Sequence, residues 1–240
     1  MPGQPLLYTE LASWWRLLSP VEEYAEEVEV YLPLLQPGAS NRALLELGSG
    51  GGNNAYYLKQ HFEMTLVDLS PHMMTTSREI NADLPHHEGD MRSVRLGRTF
   101  DSVFIHDAIM YLTTEDDLRA AFDTAAIHLR PGGRLLLAPD FTRELFEPST
   151  DHGGVDEPSG RGLRYLEWTY DPDPTDTAVI ADFAYLLREA DGSTRALHDR
   201  HINGIFPEAT GRRLLADAGF EIEKLRDRWD RDLFFGTKRG

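Results

Sequence analysis

Short apolar runs separated by helix-length stretches occupy residues 40–140, and this alternation restricts the fold more than any other feature of the sequence. The runs cover residues 43–47, 64–67, 102–105 and 134–138. Continuous apolar runs of this length are typical of strands that are buried on both faces, as in a parallel sheet covered by helices. The sequence therefore predicts an α/β fold with a doubly wound, mostly parallel sheet.

The pattern changes after residue 160, where strand-like runs follow one another with only turns between them. We expect a three-stranded antiparallel meander over residues 164–170, 178–189 and 194–203, with a loop at 148–163 before it. Asp191-Gly192 lies between the last two runs. This dipeptide supplies the positive φ angles that a tight hairpin turn requires.

The two ends of the chain are predicted to flank this core. The first 36 residues are expected to be helical, with a break at Ser19-Pro20, and a last helix over 207–218 is followed by strands at 221–225 and 232–238. We therefore divide the chain into an N-terminal helical cap or lid (1–39), a sheet domain (40–147 and 205–240) and an antiparallel insertion (148–204).

Composition and charge exclude several classes of protein. The chain has no cysteine, which rules out disulfides, thiolate zinc sites and cysteine nucleophiles. Its net charge of −16 argues against nucleic-acid binding, which requires a cationic surface. Because no membrane span or signal peptide is visible, we expect a cytoplasmic protein without a membrane partner. The charge runs at 22–27 and 226–231 are interpreted as solvated surface.

A glycine-rich turn follows the first predicted strand and carries the most chemical information. Gly48, Gly50 and Gly52 alternate between the strand and a helix, and Asp68 ends the second strand 20 positions after Gly48. Glycines allow the backbone to approach a ligand closely, and a carboxylate at this place accepts both ribose hydroxyl hydrogens. This pattern indicates an adenosyl ligand and leaves a dinucleotide-dependent oxidoreductase open as an alternative.

Three details favour a sulfonium nucleoside over a dinucleotide. Asn53 stands where the third glycine of a dinucleotide fingerprint is expected, and Glu46 lies two residues before the first glycine. A carboxylate there suits a cationic amine better than a diphosphate. The segment 88–91 precedes the next strand, where Asp90 and the Met91 amide are placed to read an adenine edge.

Together with Phe100-Asp101 and the run 129–133, these motifs resemble class I S-adenosylmethionine-dependent methyltransferases, over residues 40–140. The resemblance implies a seven-stranded Rossmann-like sheet whose last strand is antiparallel, with S-adenosylmethionine as cofactor and S-adenosylhomocysteine as product. It implies that the loop 48–52 holds the methionine part, Asp68 the ribose, and Asp90 with Met91 the adenine. The candidate cofactor-binding residues are Tyr24, Glu46, Gly48, Ser49, Gly50, Gly52, Asn53, Asp68, Leu69, Gly89, Asp90, Met91 and His106.

Within this class, the helical cap and the antiparallel insertion look like the small-molecule branch. Segments 87–92 and 199–206 are similar to those of sugar N,N-dimethyltransferases of macrolide biosynthesis, whereas 106–111 departs from that pattern. The expected activity is methyl transfer to a nitrogen or oxygen of a secondary metabolite or aminosugar. The alternatives are an NAD(P)-dependent oxidoreductase and a non-catalytic adenosyl-ligand-binding protein. We expect a small-molecule substrate, no nucleic-acid partner, and a monomer or homodimer.

The ends of the later strands supply the candidate catalytic groups. His106 is a possible general base or a purely structural group, and Asp107 and Asp140 are placed to orient a cationic amine. In the strand 194–203, Asp199, His201 and Asn203 share one face, while His198 and Arg200 lie on the other. His198 and His201 therefore cannot chelate one metal, and no metal site is expected. His201 remains a catalytic candidate.

Aromatic and basic residues of the cap and insertion complete the predicted site, with ordinary sheet packing as the alternative for most of them. The candidate substrate-binding residues are Tyr8, Trp15, Tyr111, Tyr165, Trp168, Tyr185 and Arg200.

Overall fold

The computed structural model describes residues 4–36 and 42–240. In this part of the chain the strands are β1 Ala43–Leu47, β2 Glu63–Asp68, β3 His86–Glu88, β4 Phe100–Ile105, β5 Leu129–Leu137, β6 Ser149–Asp156, β7 Gly162–Tyr170, β8 Ala178–Arg188, β9 Thr194–Gly204, β10 Phe220–Arg226 and β11 Asp232–Lys238. The α-helices are α1 Trp15–Leu18, α2 Ala25–Leu35, α3 Asn53–Leu58, α4 Pro71–Arg78, α5 Glu115–His128 and α6 Glu208–Asp217. The predicted boundary at residues 39 and 40 lies outside the described residues.

Seven strands form one mixed sheet in the order β10-β11-β5-β4-β1-β2-β3. The pairs among β1 to β5 are parallel, and β11 is antiparallel to both β5 and β10. The strand order reverses between β1 and β4, and the crevice beyond the carboxyl ends of such strands is where ligands bind. The predicted doubly wound fold is confirmed, although the short strand β3 has no apolar run that marks it in the sequence.

Alternate residues of the central strands enter two separate layers of the core. Leu44 and Phe104 pack with Tyr31 and other side chains of α2 and α3 on one face of the sheet. Leu45 packs with Phe122 and other residues of α5 and α6 on the opposite face. Because side chains alternate along a strand, Glu46 lies on the same face as Leu44, next to the cap.

The insertion differs from the prediction because it has four antiparallel strands in the order β6-β7-β8-β9. The predicted loop at 148–163 was wrong, since β6 pairs with β7 along its whole length. β6 is a polar edge strand that is mostly exposed, so it lacks the apolar alternation by which strands are recognised. The ring of Tyr165 lies across from Gly153, where a Cβ would come within 2.8 Å of the ring.

The hairpin between β8 and β9 differs from the prediction in its backbone conformation. Five residues, 189–193, connect the strands, and Gly192 has a φ of 85° while Asp191 stays in the ordinary negative-φ region. This pattern corresponds to a turn with one left-handed glycine rather than a two-residue Asp-Gly turn.

The N-terminal residues pack on the inner face of the insertion. Leu11 and Trp14 form a small core with Leu163, Tyr185 and Leu187. The cap therefore lies between the insertion and the sheet. Among the described residues, no helix is long and apolar enough to cross a membrane.

Gly204 joins the insertion to the sheet, and its substitution tests how tight that contact is. A Cβ at Gly204 would overlap the carbonyl oxygen of Leu112, so Gly204→Ala should destabilise the protein by about 2 kcal/mol through overpacking. Urea unfolding measures this change. Gly211 in α6 has nothing within 4 Å of the added Cβ, and Gly211→Ala should stabilise the protein by about 0.5–1 kcal/mol. Equal effects of the two variants would contradict the assigned contact.

Candidate active site

The loop between β1 and α3 forms a backbone cradle at the carboxyl end of the sheet. Gly48 and Gly52 both have φ of 75°, a conformation that L side chains rarely adopt. A Cβ at Gly48 would overlap Ala108, and one at Gly52 would overlap Ser77 and Asn81. These two glycines are therefore required both by backbone conformation and by lack of space.

The cap is tied directly to this loop. Arg16 donates to the Gly51 carbonyl oxygen at 2.9 Å and to Asn53 Oδ1 at 2.5 Å, and Asn53 Nδ2 donates to the Ser19 carbonyl oxygen at 3.0 Å. The indole of Trp15 lies against Gly51, with a buried Nε1 that has no hydrogen-bond partner. Asn53 and Trp15 thus join the loop to the cap, and Arg16, which sequence reasoning missed, holds the junction.

Asp68 lies at the end of β2, facing the loop. Its carboxylate accepts hydrogen bonds from the Gly50 amide and the Ser70 amide, both at 2.7 Å. Burial raises the pKa of Asp68 above its ordinary value, although these amides lower it. The neighbouring Leu69 is 50% exposed and leaves an apolar surface beside the carboxylate.

Glu46 is the most unusual carboxylate of the site. It is 1% exposed, its Oε2 has no hydrogen-bond partner, and burial raises its pKa to about 8. The positive charge of His106 only partly offsets this effect, and Asp107 and Asp68 add repulsion. An unpartnered buried carboxyl is costly unless a ligand completes it. Ser49 Oγ is likewise buried without a partner.

The segment after β3 is held by its own ion pairs. Arg92 donates from Nη2 to Asp90 Oδ2 at 2.6 Å and from Nη1 to Asp117 Oδ1 at 2.6 Å. The pKa of Asp90 is lowered mainly by the hydrogen bonds of the Arg92 side chain. Gly89 donates to the Asp68 carbonyl oxygen at 3.0 Å, which fixes this segment beside Asp68. Met91 packs against the core next to Gly48.

His106 directly follows β4 and is enclosed by carboxylates. Its Nε2 lies 3.2 Å from Glu27 Oε2 and 3.1 Å from the Tyr31 hydroxyl, and its Nδ1 lies 3.3 Å from Asp107 Oδ1. Arg231 donates to Glu27 Oε1 at 2.7 Å from the far side. This cluster joins α2, β4 and the last hairpin.

The charges of this cluster affect whether His106 can accept a proton as the predicted general base. Burial alone would lower the pKa of His106, but Asp107 and Glu27 raise it to about 10. Burial would raise the pKa of Glu27, but His106 and Arg231 lower it to about 2. At neutral pH His106 is therefore an imidazolium without a lone pair to accept a proton. Its contacts suit it to hold Asp107 and Glu27 rather than to act as a general base.

Asp107 and Asp140 follow β4 and β5 at the carboxyl ends of the strands, where the ligand cleft of such a sheet is expected, and they interact electrostatically. Asp140 is exposed at its surface, but the protein atoms around its carboxyl group and the charge of Asp107 raise its pKa to about 6. Burial would raise the pKa of Asp107, and the His106 charge keeps it below its ordinary value. The hydroxyl of Tyr24 contacts Ser19 Oγ at 2.8 Å, and its ring lies 6.2 Å from that of His106.

Tyr8, Tyr111 and His201 meet at the border of this cleft. The Tyr8 and Tyr111 hydroxyls form a 2.9 Å hydrogen bond, and the Tyr111 hydroxyl lies 2.7 Å from His201 Nδ1. Burial raises the pKa of both tyrosines well above their ordinary values, and the charge of Asp107 adds to this effect. The structure thus brings together candidates from the cap, the sheet and the insertion.

Four other candidates lie away from the cleft. Tyr185 is buried and Tyr165 half-buried in the packing between the cap and the insertion, and the Tyr165 hydroxyl donates to Asp151. Trp168 is 55% exposed on the outer face of the insertion. Arg200 lies on that face as well, paired with Asp182 at 2.8 Å. These positions do not bring Trp168 or Arg200 to the predicted substrate site.

The two histidines of β9 are separated as their alternation predicts. His198 is exposed and pairs with Asp182, whereas His201 is 4% exposed and pairs with Asp199. Within residues 4–36 and 42–240, no cluster of His, Asp and Glu side chains has the arrangement of a metal site.

Sequence reasoning missed several residues of the site because their partners are distant along the chain. Glu27 and Arg231 had been interpreted as solvated surface, yet they lie 2.7 Å apart inside the His106 cluster. Asp199, Tyr31 and Arg16 were not among the site residues predicted from the sequence. The signal that would have helped is weak: Glu27 and Tyr31 are four residues apart on one face of α2.

Comparisons with known proteins agree with this geometry. Residues 44–133 match the family model described as a methyltransferase domain. The chain is 28% identical over 209 residues to the dTDP-3-amino-3,4,6-trideoxy-α-D-glucopyranose N,N-dimethyltransferase of Streptomyces venezuelae, covering 85% of this chain and 86% of that protein.

Solved structures extend the likeness to the whole fold. The sugar N-methyltransferase KedS8 from Streptoalloteichus is 29% identical, with a TM-score of 0.81 over 96% of this chain and 92% of that one. The SAM-bound amino pentose methyltransferase CalS10 from Micromonospora echinaspora is 26% identical, with a TM-score of 0.78 over 95% of each chain. The chain is a class I S-adenosylmethionine-dependent methyltransferase. The oxidoreductase and non-catalytic alternatives are not favoured.

The residues of this methyltransferase fit its cofactor, S-adenosylmethionine. The unpartnered oxygen of Glu46 matches the need of an amino group for an acceptor, and the glycine loop leaves room for a close backbone approach. Asp68 has the position expected for a ribose contact, with Leu69 beside it. Asp90 already accepts several hydrogen bonds from Arg92, so its adenine contact stays a prediction.

Asp68→Ala should weaken the binding of S-adenosylhomocysteine to the methyltransferase at least tenfold, or about 1.4 kcal/mol, because it removes a charged acceptor and releases the Gly50 amide. Isothermal calorimetry measures the dissociation constant. Asp83→Ala is the matched control, since Asp83 is an exposed carboxylate that pairs with Lys59. An unchanged affinity in a folded Asp68→Ala protein would contradict the assignment.

Glu46 should make cofactor binding pH-dependent. Because its pKa is about 8 without ligand and an ammonium group favours the ionised form, affinity should rise with pH between about 6.5 and 8, by up to about tenfold per unit. Glu46→Gln should remove this slope in calorimetric titrations. It should also stabilise the ligand-free protein, increasingly as pH rises from about 4.5 to 8, since folding then no longer buries a carboxylate. A slope retained in Glu46→Gln would exclude Glu46 as its source.

Proposed function

We propose that this methyltransferase transfers methyl groups to the amino group of an aminosugar. The observation that carries the proposal is the pair of carboxylates, Asp107 and Asp140, at the solvent-accessible end of the cleft above β4 and β5. Desolvation raises the pKa of Asp140, and the negative charge of Asp107 raises it further, so the two carboxylates repel each other. A cationic amine relieves that repulsion, whereas a neutral hydroxyl does not.

Further carboxyl groups lie on the other side of the cleft, of which Glu46 becomes negatively charged when a cation binds beside it. Glu46 and Asp68 lie on its cofactor side, close enough to Asp107 to interact electrostatically. The nearby cations His106 and Arg231 are already engaged by Glu27. A negative cleft raises the local concentration of cations, which applies both to a sulfonium and to a protonated amine.

Similar proteins support the choice of an aminosugar. The Streptomyces venezuelae relative is named for a dTDP-linked 3-amino sugar, and a second relative, from Saccharopolyspora spinosa, for a dTDP-linked 4-amino sugar. The chain spans most of the length of both, 86% and 73%. We propose an amino group on a deoxysugar ring as the acceptor, in keeping with both names.

The residues around the cleft then have separate roles. The sulfonium would supply an activated methyl group for in-line displacement by the neutral amine, which forms once the bound ammonium has given up its proton to Asp140 or to solvent. Asp140 orients the amine by charge, and the Tyr8 and Tyr111 hydroxyls contact it from the cap and sheet sides. His106 keeps Asp107 ionised, because its positive charge lowers the pKa of that carboxyl. Alignment and exclusion of water by the cap account for most of the catalysis in such a reaction.

A panel of acceptors tests the proposal. The enzyme is incubated with radiolabelled S-adenosylmethionine and dTDP-linked 3-amino or 4-amino deoxysugars, and with the corresponding hydroxyl sugars as matched controls. Methylated amine and unmodified hydroxyl sugar are the expected products. Methylation of the hydroxyl sugars at equal or greater rate would overturn the proposal in favour of O-methylation.

Asp140→Asn should raise the KM for the amine at least tenfold, because a charged hydrogen bond is worth about 1.5–3 kcal/mol. The dissociation constant of S-adenosylhomocysteine should not change. In the unsubstituted enzyme the KM should rise as pH falls through about 6, where Asp140 takes up a proton. Steady-state kinetics at several pH values measure both effects. A lower kcat with an unchanged KM would contradict a role in binding the amine.

A further inference from the structure

The glycine loop is held by Asn81, a buried residue that follows helix α4. Asn81 Nδ2 donates to the Gly52 carbonyl oxygen at 2.8 Å. Gly52 has a φ of 75°, and a Cβ there would overlap both Asn81 Nδ2 and Ser77 Oγ. Asn81 and Ser77 therefore pack directly against the backbone of the loop. Because both side chains are 0% exposed, they influence a ligand in the cleft only through that backbone.

Ser77 connects Asn81 to a histidine at the start of β3. Ser77 Oγ lies 3.5 Å from Asn81 Nδ2 and 2.9 Å from His86 Nε2. The other ring nitrogen, His86 Nδ1, lies 2.9 Å from the Leu84 carbonyl oxygen. Burial lowers the pKa of His86 below its ordinary value, so the ring is neutral at pH 7. The polar groups of Leu84, His86, Ser77 and Asn81 thus form one continuous set that ends at the loop.

The Leu84 carbonyl oxygen gives this set its direction, because a carbonyl oxygen only accepts hydrogen bonds. His86 Nδ1 must carry the proton of the neutral ring, and Nε2 is then an acceptor for the Ser77 hydroxyl. The Ser77 oxygen turns its lone pairs to Asn81, so the amino group of Asn81, and not its oxygen, faces Ser77 and Gly52. The tautomer of one histidine therefore orients the amide that holds Gly52.

The held carbonyl belongs to the part of the loop on which cofactor binding depends. Gly52 directly precedes α3, and two residues earlier the Gly50 amide donates to Asp68. Asp68 and Asn81 thus hold the loop at two points. The loop 48–52 is assigned to the methionine part of the cofactor, whereas Asp68 is assigned to its ribose. A contact that shapes the loop alone should affect one end of the cofactor more than the other.

We propose that Asn81, Ser77 and His86 are positioning residues that shape the loop 48–52 for the methionine part of S-adenosylmethionine. They act through the Gly52 carbonyl group and do not touch the cofactor. This inference rests on the assignment of the loop to the methionine part and does not depend on which acceptor the enzyme methylates. Loss of these contacts reduces affinity for the amino-acid end of the cofactor and spares the nucleoside end.

Asn81→Ala tests the proposal with two ligands that share a nucleoside. S-adenosylhomocysteine carries the amino-acid chain, and 5′-methylthioadenosine lacks it. Calorimetry should show S-adenosylhomocysteine bound about tenfold more weakly by the folded variant, because the Gly52 carbonyl loses its donor. The dissociation constant of 5′-methylthioadenosine should change by less than about twofold. An equal or larger loss for 5′-methylthioadenosine, or no loss for either ligand, would overturn the proposal.

Ser77→Ala keeps the test decisive if Asn81→Ala does not fold. It should weaken the binding of S-adenosylhomocysteine about threefold and spare 5′-methylthioadenosine, because Asn81 loses the neighbour that orients its amide. Added to a folded Asn81→Ala protein, it should cause no further loss, since Ser77 acts through Asn81. An unchanged affinity in Ser77→Ala, or a full additional loss in the double variant, would overturn the proposal.

Thr75→Ala is the matched control for Ser77→Ala. Thr75 lies on the same helix, and its exposed hydroxyl donates to the Pro71 carbonyl oxygen within that helix. The variant should bind both ligands as the original enzyme does. A loss in Thr75→Ala equal to that in Ser77→Ala would show that any change in α4 has this effect, and it would overturn the role assigned to Ser77.

Histidine nitrogen NMR tests the direction of the hydrogen bonds and needs no methyl acceptor, so its result is separate from that of the proposed function. The His86 signals are those lost in His86→Gln. At pH 7 we expect a neutral ring that is protonated on Nδ1, and a ring protonated on Nε2 would overturn the inference. The side-chain oxygen of His86→Gln can accept from Ser77, so this variant should bind S-adenosylhomocysteine more tightly than His86→Leu does. Equal affinities of the two variants would overturn the role assigned to His86.

Discussion

Repulsion among carboxylates at the carboxyl ends of β1, β2, β4 and β5 is the constraint on which the rest of the site depends. Glu46, Asp68, Asp107 and Asp140 lie close enough to shift one another's pKa values. Like charges held this near each other in a recess favour any cation that enters. The sulfonium nucleoside provides such a cation on one side, and the proposed amine provides it on the other.

Two internal cations limit that repulsion without removing it. His106 and Arg231 neutralise Glu27, and His106 also touches Asp107. The same contacts connect helix α2, strand β4 and the hairpin after β10, so the electrostatic balance and the packing of the cap depend on the same side chains. His106 thereby holds Glu27 and Asp107 together at the carboxyl end of β4.

Much of the fold was predictable from sequence because its signals are local. The strands of the central sheet are contiguous apolar runs, and the glycine loop with Asp68 identifies the cofactor side within 21 residues. Strand β6 was missed because a polar edge strand resembles a loop. The Glu27–Arg231 pair and Asp199 were missed for a different reason, since their partners are separated by about 200 residues and only the folded chain brings them together.

Residues 6–8 are bound on both sides of the cleft. Ser70, next to the cofactor strand, donates to the Tyr8 carbonyl oxygen at 2.5 Å, and Asp199 in the insertion accepts the Leu6 and Leu7 amides. Backbone groups of this segment make these hydrogen bonds, so the contacts depend little on which side chains the segment carries. Because residues 6–8 are hydrogen-bonded both to the sheet domain and to the insertion, separating these two parts would require both sets of bonds to break together.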